Sequence, residues 1–178
     1  MASTTSLTID DFERLPADAV RHRELVDGEL VDVSGNTPFH NFLRDRLMWR
    51  LMVWAEQSAA GQVIAEQEYD FLGNAHGPDV TFFGREKLPL LHLQKRVQRF
   101  VPDLAVEIAS ANDTYNSLIQ KKDRYRKAGT SEVWLISENC EIAIYSTHGD
   151  RILHSGDALS SEMLPGFTIA LDDLFRGL

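Results

Sequence analysis

The chain has 178 residues, enough for one domain with a real core, and 43% hydrophobic and 25% charged residues are ordinary globular values. No run approaches the roughly 18 apolar residues of a membrane-spanning helix, and the single cysteine, Cys140, excludes an intramolecular disulfide framework and a cysteine-based zinc site. The net charge of −9 argues, taken whole, against a nucleic-acid partner.

The distribution of charge qualifies the total. From Arg85 to Lys127 there are ten Lys/Arg against five acids, a local net of +5, while the remainder carries −14. A basic middle of this kind can hold a phosphate locally. The competing reading is a set of solvated helix faces. The start, MASTTSLTIDDFERLP, has neither a basic leader nor an apolar signal core, so the expectation is mature sequence, a single domain over 1–178, and a cytoplasmic location.

In chain order, Thr8 with Asp11 signals a short helix that Pro16 ends. HRELVDGELVDV, residues 22–33, is two alternating runs around Asp27-Gly28, a strong hairpin signal because both turn positions need positive φ. Thr37-Pro38 opens a long helix to about Ala59, with Phe39, Phe42, Leu43, Leu47, Leu51 and Trp54 at helical spacing and Gly61 closing it. QVIAEQEYDFL (62–72) and DVTFF (79–83) read as strands, and 84–99 as a polar loop with a helical turn. DLAVEIAS (103–110) has the short apolar run of a buried central strand. A helix from about Asp113 to Ala128 ends at Gly129, EVWLIS and EIAIYST form a strand pair, and LPGFTIALDDLF adds an extended piece and a final helical turn. The sum is α/β: a mixed sheet covered by helices, with an N-terminal β-hairpin.

Two Pro-Asp pairs stand at strand entrances, Pro78-Asp79 and Pro102-Asp103. Glu107 sits inside the second of these strands, sharing a face with Asp103, Ala105 and Ala109. A glutamate among apolar residues wants a metal or a cation; a salt bridge to a lysine of the next helix would satisfy it as well. On that helix Leu118 and Tyr125 mark the inward direction. Lys121 falls between Tyr125 and Ala128 inside the stripe that should be apolar, and Lys122 lies near its opposite edge. An inward lysine needs an anion, or else snorkels to solvent. The wheel does not choose between the two lysines. The six histidines have no metal-ligand spacing, and there is no phosphate-binding glycine loop and no GxSxG elbow. Trp49, Trp54 and Trp134 fit core or dimer packing better than base stacking.

The ordered set RELVDGEL, a His-initiated long helix, PDV, PDLAVEIAS, KxxxYxxAG, EVWLI and LPGF resembles the Uma-two family of restriction-endonuclease-like proteins, from Leu7 to Phe175. The resemblance implies a restriction-endonuclease-like fold with a PD-(D/E)XK nuclease core. It places the motif aspartate at Asp79, the second acid at Glu107, the lysine at Lys121 and the family's N-terminal glutamate at Glu24. Asp79 and Glu107 would hold Mg²⁺ (or Mn²⁺), and Glu24 would join them or be an exposed hairpin residue. The parent lysine position, two after the second acid, is Ala109 here, so the resemblance implies a lysine displaced to the following helix. Ser117 stands where many relatives carry Asp, and His40 matches the family's His at the helix start, where capping or packing is expected of it. The implied activity is metal-dependent hydrolysis of double-stranded DNA, with a homodimer by analogy. The rival is a non-catalytic interaction or DNA-binding module on the same fold.

Overall fold

The computed structural model describes residues 6–33, 35–110 and 113–178. Its first helix, α1 (Ile9–Arg14), starts as the sequence predicts: the Thr8 side chain accepts from Asp11 N and the Asp11 carboxylate accepts from Thr8 N. After the single turn α2 (Ala17–Val20), strands β1 (Arg23–Val26) and β2 (Glu29–Asp32) form the hairpin, with Asp27 at φ 50° and Gly28 at φ 83°. The long helix α3 (Pro38–Ser58) is capped by the Thr37 hydroxyl, which accepts from His40 N.

Gly61 does not close α3. Ala59 takes the left-handed position at φ 50°, and Gly61 begins β3 (Gly61–Ala65). Its glycine is required by a close approach, since a Cβ there would lie 2.1 Å from the Phe83 carbonyl oxygen. Phe42 also departs from expectation. The inward stripe is His40, Leu43, Leu47, Leu51 and Ala55, and Phe42 lies outside it, 63% exposed. Of the three tryptophans Trp134 is fully buried, Trp54 packs partly buried on the core and Trp49 is exposed.

Segment 62–72 reads as one strand in sequence but is two. Glu66, at φ 52°, breaks the run into β3 and β4 (Glu68–Asp70), which enter different sheets. Then come β5 (Ala75–His76), β6 (Val80–Gly84), a 3-10 helix over Arg85–Leu90, β7 (Val97–Gln98) and β8 (Leu104–Ile108). Helix α4 (Tyr115–Ala128) starts at a Thr114/Ser117 capping box and stops at Gly129, φ 112°. Strands β9 (Glu132–Ile136), β10 (Ile142–Ser146) and β11 (Gly149–Leu153) follow as a meander. The small pair β12 (Ala158–Ser160) and β13 (Thr168–Ala170), with the turn α5 (Leu171–Leu174), ends the chain.

The larger sheet has the order β11-β10-β9-β8-β6-β3, mixed because β8 and β9 run parallel. Strands β6, β8 and β9 are buried throughout, which is why they read as apolar runs without alternation. Helix α3 packs on one face with Leu104, Val106 and Ile108 of β8. Helix α4 packs on the other, where Leu118 and Tyr125 meet Ala105, Val133 and Leu135. A second sheet, β2-β1-β5-β4-β7, sits beside α4: Tyr69 and Phe71 join that cluster, and a separate apolar group under α1 contains Ile9, Phe12, Val20, Leu25, Ala75 and Val97. Among the described residues no helix is long and apolar enough to cross a membrane.

The basic middle is largely neutralised within the molecule. Lys87 meets Asp103, Arg96 meets Glu68, Arg99 meets Asp10, Glu13 and Asp70, Lys122 meets Asp123 and Arg124 meets Asp27. These cations are neither a free phosphate-binding stripe nor merely solvated. Apart from the adjacent Lys122–Asp123 pair, they tie helix, loop and sheet together.

Candidate active site

Four elements bring the site together. Glu24 comes from β1, Asp79 from the entrance of β6, Glu107 from β8 and Lys121 from the second turn of α4. Antiparallel pairing sets Val80 opposite Val106, and continuing that register by one residue sets Asp79 beside Glu107. Ile108 N donates to Asp79 Oδ2 at 2.7 Å, fixing the aspartate against the next strand. Lys121 Nζ lies 3.2 Å from Glu24 Oε1 and 3.4 Å from Glu107 Oε2. So the inward lysine is Lys121. Lys122 instead lies 4.7 Å over the Tyr145 ring.

Asp103, on the sequence-predicted face with Glu107, is not part of this group. It accepts from Gly84 N and Lys87 and pins the loop after β6. Of the two Pro-Asp pairs, one serves the site and the other the scaffold.

Three further side chains complete the arrangement. The Tyr125 hydroxyl donates to Glu107 Oε1 at 2.6 Å. The KxxxY spacing carries that signal, since residues four apart share a helix face. His40 does more than cap or pack: its Nε2 lies 3.0 Å from Asp79 Oδ1, reaching the acid from the other face of the sheet. His76 stands 2.9 Å from Glu24 Oε2 through Nδ1 and 2.9 Å from Arg124 Nη1 through Nε2. Nothing in the sequence marks His76, because its partners lie 52 and 48 residues away.

Burial and charge work against each other here. Glu107 is 5% exposed, and burial pushes its carboxyl up to about 7 despite the opposing pull of Lys121, with Asp79 and Glu24 adding to the rise. Burial would also raise Glu24, but the His76 hydrogen bond and the Lys121 charge outweigh it and hold that carboxyl down at about 2. Lys121 is disfavoured as a cation by burial, yet Glu107 and Glu24 overcome this and raise it above an ordinary lysine. His40 is likewise raised by Asp79 against burial. Lys121 is thereby held as an ammonium between the two carboxylates.

The cleft over the site has a volume of about 570 Å³. Its walls are the exit of β2, the Glu66 and Glu68 side chains, and Ser110, Asp113 and Ser117. Among the described residues seven carboxylates and three Lys/Arg side chains line it, a formal excess of four acids. Among the described residues no group of three or more His, Cys, Asp or Glu side chains is arranged as a metal cage.

A family model described as "Uma2: Putative restriction endonuclease" matches residues 9–172. The chain belongs to the Uma2 family. Within the solved structures, one similar to this Uma2 chain is "a putative nuclease belonging to DUF820" from Anabaena variabilis ATCC 29413. It aligns at a TM-score of 0.83 and 16% identity, over 95% of this chain and 97% of that one. That likeness shows the fold: a mixed α/β core with helices on both faces of the sheet. A cryo-EM structure of a DrdV–DNA complex is similar over 75% of this chain and 11% of the other, at 20% identity and a TM-score of 0.43. No curated protein matches the chain.

Proposed function

We propose that the chain is a divalent-metal-dependent endonuclease that hydrolyses phosphodiester bonds of double-stranded DNA, with Asp79, Glu107, Lys121 and Glu24 as its working residues. The observation that carries this reading is the convergence of two strand carboxylates with a helix lysine placed 3.4 Å from one of them. Membership of a family described as restriction endonucleases supports it.

The donor set fits Mg²⁺ or Mn²⁺. Asp79, at the entrance of β6, and Glu107, on β8, offer hard oxygens side by side, and among the described residues each oxygen accepts one protein hydrogen bond, which leaves it a further lone pair. Mg²⁺ binds through one or two carboxylates and keeps several waters, so a cage of three protein ligands is not needed. The anionic lining supplies a second reason, because a phosphodiester approaching seven carboxylates needs a cation beside them. What such an ion supplies, when bound, is a stronger water nucleophile and neutralisation of phosphate charge.

The chain's own groups then have distinct tasks. Lys121, held as an ammonium, donates to a non-bridging phosphate oxygen and offsets charge in the pentacoordinate state. Glu24 holds that ammonium together with Glu107. Tyr125 and His40 hold the two acids in orientation. Two copies of the chain would bring two sites to a duplex, and a homodimer is part of the proposal.

One observation favours a non-catalytic module instead: every oxygen of Asp79 and Glu107 already has a protein donor. Cleavage of supercoiled plasmid separates the readings. Nicking that requires Mg²⁺ or Mn²⁺ and is lost in Glu107→Ala and Lys121→Ala is expected. Nicking indifferent to both substitutions, or no nicking together with no Mn²⁺ binding by calorimetry, refutes the enzyme.

A further inference from the structure

The buried His76 has a neighbour that decides its proton. Arg124 Nη1 lies 2.9 Å from His76 Nε2, and a guanidinium only donates, so Nε2 must accept. The ring proton is then on Nδ1, which stands 2.9 Å from Glu24 Oε2. A doubly protonated ring would point an N–H at a guanidinium N–H in a site 1% exposed. Arg124 is in turn anchored at the surface, where its Nη2 donates to Asp27 Oδ2 at 3.0 Å, at the tip of the β1–β2 hairpin. Gly77 N donates to the other oxygen of Glu24 at 3.3 Å, the one that also receives Lys121.

We infer that His76 and Arg124 are positioning residues for the site: Arg124 locks His76 as the neutral Nδ1–H tautomer, and that tautomer fixes the glutamate that holds Lys121. This rests on the endonuclease reading for its consequence in catalysis, but not for the tautomer. Arg124 and Lys121 are three residues apart on α4, so one helix supplies both the ammonium and the donor that, through His76, aims its counter-ion. The hairpin tip is thereby tied to the floor of the cleft by an unbroken series of charge-assisted hydrogen bonds.

The test uses the full chain with ¹⁵N-labelled histidine. Imidazole ¹⁵N shifts distinguish protonated from bare ring nitrogens, and the wild type is expected to show His76 neutral and protonated on Nδ1 alone between about pH 6 and 8. Arg124→Met keeps a good helix former but removes the donor. It should let Nε2 take a second proton, so that the ring is no longer purely the neutral Nδ1–H form toward pH 6, and lower kcat for plasmid nicking about tenfold with KM unchanged. Arg124→Lys, with a donor restored, should recover both. Arg124→Gln serves if the methionine variant does not fold. A wild-type His76 protonated on Nε2 overturns the inference, as does an Arg124→Met protein that keeps both the tautomer and kcat. If the wild type does not nick at all, the endonuclease reading fails, and the ¹⁵N spectra still decide the tautomer.

Discussion

Replacing Glu107 by Gln should make the protein more stable at alkaline pH, although it removes a residue of the proposed site. In the folded chain burial pushes the Glu107 carboxyl from 4.5 to about 7. Between those values the unfolded chain has released this proton and the folded chain retains it. The wild type therefore loses stability as pH rises from about 4.5 through 7, at about 1.4 kcal/mol per pH unit. Over that window the loss is roughly 3 kcal/mol. Glutamine has no such titration and can keep the Tyr125 hydrogen bond through its carbonyl oxygen. The difference between the two proteins should thus be near its minimum at pH 4 and grow by roughly 3 kcal/mol by pH 8, or about 6–12 °C in Tm for a chain of this size. Urea unfolding at several pH values in EDTA measures it. Parallel stability curves, or a wild type that gains on the variant as pH rises, would refute the claim that this acid is held against its own solvation. The same substitution should abolish nicking, which would place the cost in stability and the benefit in chemistry on one side chain.

Three further outcomes are expected. Lys122→Met, which removes a cation lying over Tyr145 and not in the cleft, should leave plasmid nicking within about twofold of wild type, whereas Lys121→Met should reduce it at least about a hundredfold. His40→Ala removes the Nε2 contact to Asp79 and should weaken Mn²⁺ binding about 10- to 100-fold by titration calorimetry, with an unchanged affinity counting against the pairing. Gly61→Ala places a Cβ 2.1 Å from a backbone oxygen of the paired strand and should cost roughly 2–3 kcal/mol in urea unfolding, with wild-type stability contradicting the β3–β6 register.

Local chemistry made much of this molecule legible before its folding. Asp27-Gly28 supplies both positive φ angles of its turn, Thr37-Pro38 and Gly129 bound the two long helices, and Lys121 and Lys122 stand out together as charges at an apolar stripe, a choice that only the fold makes. Glu24 was less readable, because a hairpin glutamate looks exposed until β1 joins β5 in a larger sheet and α4 packs beside it, bringing His76 and Lys121 to the carboxylate. The division of 62–72 between two sheets turns on one residue, Glu66, with positive φ and no glycine to announce it. His76, Arg124 and the Asp79 partner of His40 were illegible for a different reason. Each acts through a contact made only when distant segments meet, and single-residue patterns carry no such distances.

The apolar group beneath α1 is separate from the clusters on the two faces of the large sheet, and it anchors the strands that carry Glu24 and His76. Proteins open in cooperative units smaller than the whole. A unit defined by Ile9, Phe12, Val20, Leu25, Ala75 and Val97 could let go while β6, β8, β9 and both long helices stay folded. In that state Asp79, Glu107 and Lys121 keep their frame and Glu24 departs with its histidine. Amide exchange should then show β1 and β5 exchanging sooner than β8, and the cleft would be assembled or dismantled by this one group while the large sheet stays intact.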